Sequence, residues 1–222
     1  MRFLCLHGRG TDAQIFKDQT ARICEILGEE HEFIFIDGDV PARPMIGMTL
    51  DTQFGEERLG FWPLKEGDKS YFHRTYYNVR GFIQANGPFF GLMGFSEGAS
   101  VAATILIEDL RRHGGSLGLR CAIFFCGVPP LELDLDLKRT DPVRALEFPG
   151  DGVLLQIPTA HIWSSGGGWF PDMGKGLLAL CDKGTREEVI HDLGHDVPGS
   201  RSDAYWRETV RAIERTVEKA KI

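Results

Sequence analysis

"GLMGFSEGAS", Gly91–Ser100, places one serine two residues from a glycine on either side. Ahead of it "PFFGLMGF" (88–95) is a short apolar run of the kind that forms a strand buried on both faces. Behind it "EGASVAATILIEDLRRHGG" (97–115) repeats Ala, Ile and Leu at helical spacing and ends in Arg111 and Arg112, where the helix macrodipole favours cations. Ser96 thus stands at a strand-to-helix junction. Such a serine is either a helix N-cap or a nucleophile on a tight turn, where flanking glycines let the backbone pass and the hydroxyl projects above the sheet.

Outward from that turn the chain alternates. "RFLCLHG" (2–8), "EFIFIDG" (32–38), "LRCAIFFCG" (119–127), "LLQIPTAHIW" (154–163) and "EEVIHDLG" (187–194) read as further strands. "QIFKDQTARICEILG" (14–28), "SYFHRTYYNVRGFIQANG" (70–87) and "SDAYWRETVRAIERTVEKA" (202–220) read as helices between and after them. Strands alternating with helices predict an α/β fold, a mainly parallel sheet with helices on both faces. We expect one domain over 1–222, with cap or loop excursions at about 39–69 and 128–152; the first is too long for an ordinary connection and is a candidate substrate-facing segment.

Composition narrows the partners. A net charge of −7 with no Lys/Arg-rich run argues against nucleic acid and anionic bilayers, both of which need a basic footprint. No apolar run approaches the roughly 20 residues of a membrane span. Five widely spaced cysteines, none in a zinc spacing, suit buried thiols in a reducing compartment, so the expectation is a cytoplasmic protein with no metal and no cofactor.

A serine nucleophile needs a base and a cradle for the developing oxyanion. "HDLGHDVP" (191–198) places His195 just after the last strand, where a loop carries an imidazole toward the serine; His191, within the strand, is the rival, and His161 and His73 read as packing or surface residues. The oxyanion donors are the backbone N–H of Glu97, at a helix N-terminus, and one from Arg9 or Gly10 in the turn after the first strand, "LHGRGTD". Trp62, Trp169 and Phe170, in Gly- and Pro-rich segments, are the candidate pocket lining, with Phe61 and Trp163 beside them.

The ordered set "FLCLHGRGTDAQIFKDQT", "FIFIDG", "GLMGFSEGASVAA" and "HDLGHDVP" resembles the serine hydrolases of the FSH family of fungi and animals, across nearly the whole chain. The resemblance implies an α/β-hydrolase fold and a Ser-Asp-His triad acting on esters or thioesters. It implies as well, through the members from fungal polyketide pathways, release of an acyl chain from a synthase carrier domain. The chain departs from the family at the acid: aligning "GKGLLALC" (174–181) puts Gly167 where the aspartate belongs, and the nearest substitute is Asp172. Besides the esterase or thioesterase, that departure leaves open a catalytically weak fold with a binding or scaffold role, and a non-hydrolytic step such as cyclisation.

Overall fold

A computed structural model of the chain describes residues 1–43, 58–62, 69–135, 143–166, 174–200 and 202–222, with the backbone alone at 69 and 70. In chain order the elements are β1 (Arg2–Leu6), α1 (Ala13–Leu27), β2 (Glu32–Ile36), β3 (Val40–Ala42), β4 (Arg58–Gly60), α2 (Lys69–Asn86), β5 (Gly91–Phe95) and α3 (Glu97–His113). There follow β6 (Cys121–Phe125), β7 (Leu131–Glu132), β8 (Arg144–Ala145), β9 (Thr159–Ser164), α4 (Lys175–Ala179), β10 (Glu187–His191) and α5 (Trp206–Ala220).

Six strands form one sheet in the order β10-β9-β6-β5-β1-β2, and every pair in it is parallel. The strand residues explain why both faces are covered. In β1 Phe3 and Cys5 point to one face and Leu4 and Leu6 to the other; in β6 Ile123 and Phe125 alternate with Ala122 and Phe124 in the same way. Each face then needs helices. Phe16, Ile23 and Leu27 of α1 join Val210, Ile213 and Val217 of α5 over the first face, and α2 and α3 cover the second with Tyr76, Val79, Ile83 and the Ala-rich stripe from Ala99. Asp12 caps α1 by accepting the Ile15 N–H at 2.8 Å, a contact worth about 1 kcal/mol.

The chain leaves β1 toward β2 on one side and returns to β5 on the other, so the carboxyl ends of β1 and β5 open a crevice at the point where the winding reverses. Ligands of open α/β sheets bind at such a switch point. The turn after β1 and the turn after β5 meet there.

Three segments add to or depart from the sequence-based expectation. The excursion expected at 39–69 as a cap or loop holds the antiparallel pair β3 and β4, and that at 128–152 holds the antiparallel pair β7 and β8. Their short strands lack the length that makes a period visible. The last helix starts at Trp206 rather than Ser202, because Tyr205 takes a left-handed φ of 62° that a continuing helix excludes. Among the described residues no helix is long and apolar enough to cross a membrane.

Candidate active site

Ser96 follows the last residue of β5 and precedes the first of α3. Its φ is 53° and its ψ −112°, a conformation L-residues rarely adopt, and its side chain makes no capping hydrogen bond. The N-cap alternative therefore fails on geometry. The backbone holds the turn instead: the Ser96 N–H donates to Phe125 O at 2.9 Å, and Ser96 O accepts from Ala99 N and Ser100 N. The flanking glycines are required by close approach. A Cβ on Gly94 would lie 2.6 Å from the Ala99 backbone, and one on Gly98 only 2.1 Å from Leu6 O at the end of β1.

The turn after β1 is held by a buried histidine. Gly38 N donates to His7 Nε2 at 2.9 Å, which leaves the ring proton on Nδ1, 2.8 Å from Gly8 O. Gly8 O also receives Thr11 Oγ1 at 2.6 Å. The turn is stitched to β4 by Gly10 N to Leu59 O at 2.9 Å and Leu59 N to Thr11 O at 3.0 Å. This corrects one expectation: the Gly10 N–H is spent on Leu59, so of the two proposed donors Arg9 is the one whose N–H no described carbonyl takes.

Glu97 is expected to offer its backbone N–H. Its side chain also matters: the carboxylate lies under the turn, paired with Arg9 at 2.9 Å, and accepts from Phe61 N at 2.8 Å and Trp62 N at 3.3 Å. Burial raises its pKa, while Arg9 and the two N–H groups pull it down. Trp62, expected as pocket lining, is buried. Its ring is 6% exposed and packs on Phe72, with centroids 5.4 Å apart. Phe61 is likewise buried, its ring 4.8 Å from that of His7.

His195 comes from the loop after β10, at the sheet edge, and must cross the ends of β9 and β6 to approach β5. Cys126, at the end of β6 with a φ of 43°, supports that crossing: its thiol lies 3.6 Å from Asp196 O. Val197 anchors the loop in the core, and the Asp196 carboxylate accepts Val197 N and Ser200 Oγ. The His195 ring then rests on Phe95, the residue before Ser96, with centroids 4.9 Å apart. Burial lowers its pKa to about 4, with Asp196 opposing and His191 adding to the shift, so the imidazole is neutral at pH 7. His191 instead faces Tyr205 and accepts Leu193 N at Nδ1. His161 is a packing residue, on Phe124 and Thr159, and Trp163 is held by Glu188. Asp172, Gly167, Trp169 and Phe170 lie outside the described residues. Among those described, no group of His, Cys, Asp and Glu is placed to hold a metal ion.

Four histidines have pKa values lowered by burial: His7, His191, His161 to about 3 and His195 to about 4. Each is neutral at pH 7 in the folded state and titrates near 6.5 when unfolded, so unfolding takes up protons as pH falls below about 6.5. Stability is then full above about pH 6.5 and falls as pH drops below it, down to about 4 for His195 and about 3 for His161, by up to roughly 1.4 kcal/mol per pH unit for each of those two. Glu97, raised by burial, shifts in the opposite sense, while Glu187, held low by Lys219 and Arg215, adds to the loss on acidification. Thermal melts between pH 8 and 4.5 should be flat above neutrality and decline below about pH 6.5; a midpoint that rises on acidification would contradict this.

A parallel sheet with a serine on a left-handed strand-to-helix turn, at the switch point of that sheet, defines the α/β-hydrolase class. The model of the Serine hydrolase (FSH1) family matches residues 1–205, and the chain belongs to that family of enzymes. It is 31% identical over 227 residues to esterase FPY3 of Fusarium mangiferae, spanning 100% of this chain and 99% of the relative. Among solved structures it is similar to the Bacillus cereus carboxylesterase, with a TM-score of 0.57 and 17% identity over 98% of this chain and 87% of that one. It is similar also to Zea mays acyl-protein thioesterase 2, with a TM-score of 0.59 and 14% identity over 97% and 93%. At those identities the two structures speak to the fold.

Proposed function

We propose that this serine hydrolase cleaves acyl esters or thioesters through an acyl-enzyme on Ser96, with His195 as general base. The observation that carries the reading is the strained Ser96 turn, whose side chain makes no capping hydrogen bond, beside a loop that lays a neutral imidazole on Phe95. Ser96 Oγ attacks the acyl carbon as its proton passes to His195, and the carbonyl oxygen gains charge between the N–H groups of Glu97 and Arg9. The tetrahedral species collapses, His195 returns the proton to the departing alkoxide or thiolate, and water repeats the sequence to free the acid. Asp172 is the proposed third member, fixing the imidazole tautomer.

The finer reading is a trans-acting thioesterase that releases a polyketide or other acyl chain from a carrier domain in the cytoplasm. The family resemblance and the 31% identity to a fungal esterase support it. Fluorophosphonate labelling followed by intact mass tests the chemistry. One adduct per chain is expected on the wild type, with a labelling rate lower by about 10³-fold or more in His195→Ala. No adduct on folded wild type would sink the acyl-enzyme and favour the binding or cyclisation readings. Carrier-bound acyl thioesters, followed by product analysis, then separate hydrolysis from transfer.

A further inference from the structure

The two N–H groups assigned to the oxyanion belong to residues 88 positions apart, Arg9 after β1 and Glu97 at the start of α3. The same two residues are joined through their side chains. Arg9 Nε donates to Glu97 Oε1 at 3.0 Å, Nη2 stands 2.9 Å from the same oxygen, and Nη2 also donates to Trp62 O. Both side chains are nearly fully buried, at 9% and 8% exposure. Glu97 Oε2 takes Phe61 N, and Gly60 lets that segment close, since a Cβ there would stand 2.9 Å from Oε2.

A buried ion pair is weak evidence for stability, because desolvating two charges offsets most of their attraction. Geometry is what this pair supplies. Its donors and acceptors tie together the turn after β1, the first residue of α3 and the strand end at Gly60. An oxyanion cradle depends on donors held within a few tenths of an ångström, and a misplacement of about 1 Å costs on the order of 10²-fold in rate.

We propose that Arg9 and Glu97 are a positioning pair whose buried side chains set the separation of the two backbone donors that stabilise the tetrahedral intermediate. This rests on the acyl-enzyme reading above. It gives two side chains that touch no substrate a defined effect on the transition state.

The test uses steady-state hydrolysis of an activated aryl ester by Arg9→Ala, Arg9→Lys, Glu97→Gln and the double variant Arg9→Ala/Glu97→Gln. Each is paired with inhibition by phenylboronic acid, which forms a tetrahedral adduct on a serine, and with urea melts. Arg9→Lys keeps the charge but loses the planar fork, which separates geometry from folding where Arg9→Ala is too unstable. We expect kcat to fall about 10- to 100-fold with KM changed by less than about 3-fold, and boronate affinity to fall in step with kcat. The double variant should be no slower than the slower single one. Folded Arg9→Lys and Glu97→Gln with wild-type kcat and boronate affinity would overturn the pair. So would losses that merely follow the folded fraction, or that add in the double variant. Ser96→Ala separates the two failures: if it stays active, the acyl-enzyme reading itself falls and the pair with it, whereas an inactive Ser96→Ala beside unaffected pair variants removes the pair alone.

Discussion

Ser96→Ala is expected to lower kcat for an activated ester by about 10⁴- to 10⁶-fold, to the background that the oxyanion donors and substrate binding supply alone. The size follows from the chemistry. Without Oγ the proposed acyl-enzyme cannot form, and the proposed base His195 has no hydroxyl to deprotonate. Turnover within about tenfold of wild type, measured on protein purified free of host esterases, would contradict it. The turn adds a second arm to the same experiment. At φ 53° and ψ −112°, both serine and alanine carry strain of order 1–3 kcal/mol that glycine does not. Ser96→Gly should therefore be as inactive as Ser96→Ala yet melt a few degrees higher, at about 2–4 °C per kcal/mol for a chain of this size. Equal melting of the two would mean that the turn is not strained.

Gly98→Ala is expected to be among the most damaging single-methyl changes in the chain. The added Cβ would lie 2.1 Å from Leu6 O, 2.5 Å from His7 O and 2.6 Å from Leu6 C. All three are backbone atoms at the end of β1, so no side chain can turn aside, and α3 must lift from the sheet. Overpacking of a core commonly costs about 1–3 kcal/mol. Here the clash is with a central strand, and the loss should reach at least the top of that range. The lift also separates Glu97 from Arg9, so the folded fraction should turn over more slowly, by about 10²-fold. Gly81→Ala is the control. Gly81 sits within α2, where a Cβ meets nothing within 4 Å beyond its chain neighbours and its own helix backbone, and there the same methyl should stabilise by about 0.5–1 kcal/mol. Urea melts of the two variants give the comparison. A Gly98→Ala midpoint at or above wild type would show that α3 and β1 are not in the contact described.

Much of this site is legible one segment at a time. The Gly94 to Gly98 turn, the apolar run before it and the helical spacing after it are local features, set by neighbouring residues, and each strand and helix of the main sheet carries its own period. His195 is legible for the same reason: it follows the last strand in a glycine-bearing loop, which is where a chain wound this way can bring an imidazole toward the switch point. Family resemblance adds the order of these parts but leaves the acid at Asp172 as a displaced candidate.

Other features depend on partners distant in sequence. That the Gly10 N–H is spent follows from Leu59, 49 positions on, whose carbonyl takes it. Trp62 looks like a mouth residue in its Gly/Pro-rich segment, but packing on Phe72 takes its ring out of solvent. His7 gives no sign in the sequence that it holds the turn after β1, which only the reach of Gly38 N to its ring shows. Cys126 shows no sign in the sequence of the histidine loop that it supports.

The sequence by itself determined the alternation of strands and helices, the parallel sheet and the serine at its turn, because period, capping and turn chemistry act between near neighbours. Only the tertiary structure decided that the Gly10 N–H is taken, which aromatic rings are buried, and that Arg9 and Glu97 clasp beneath the turn. Those outcomes are set by hydrogen-bond competition and packing between segments that meet only when the sheet is assembled.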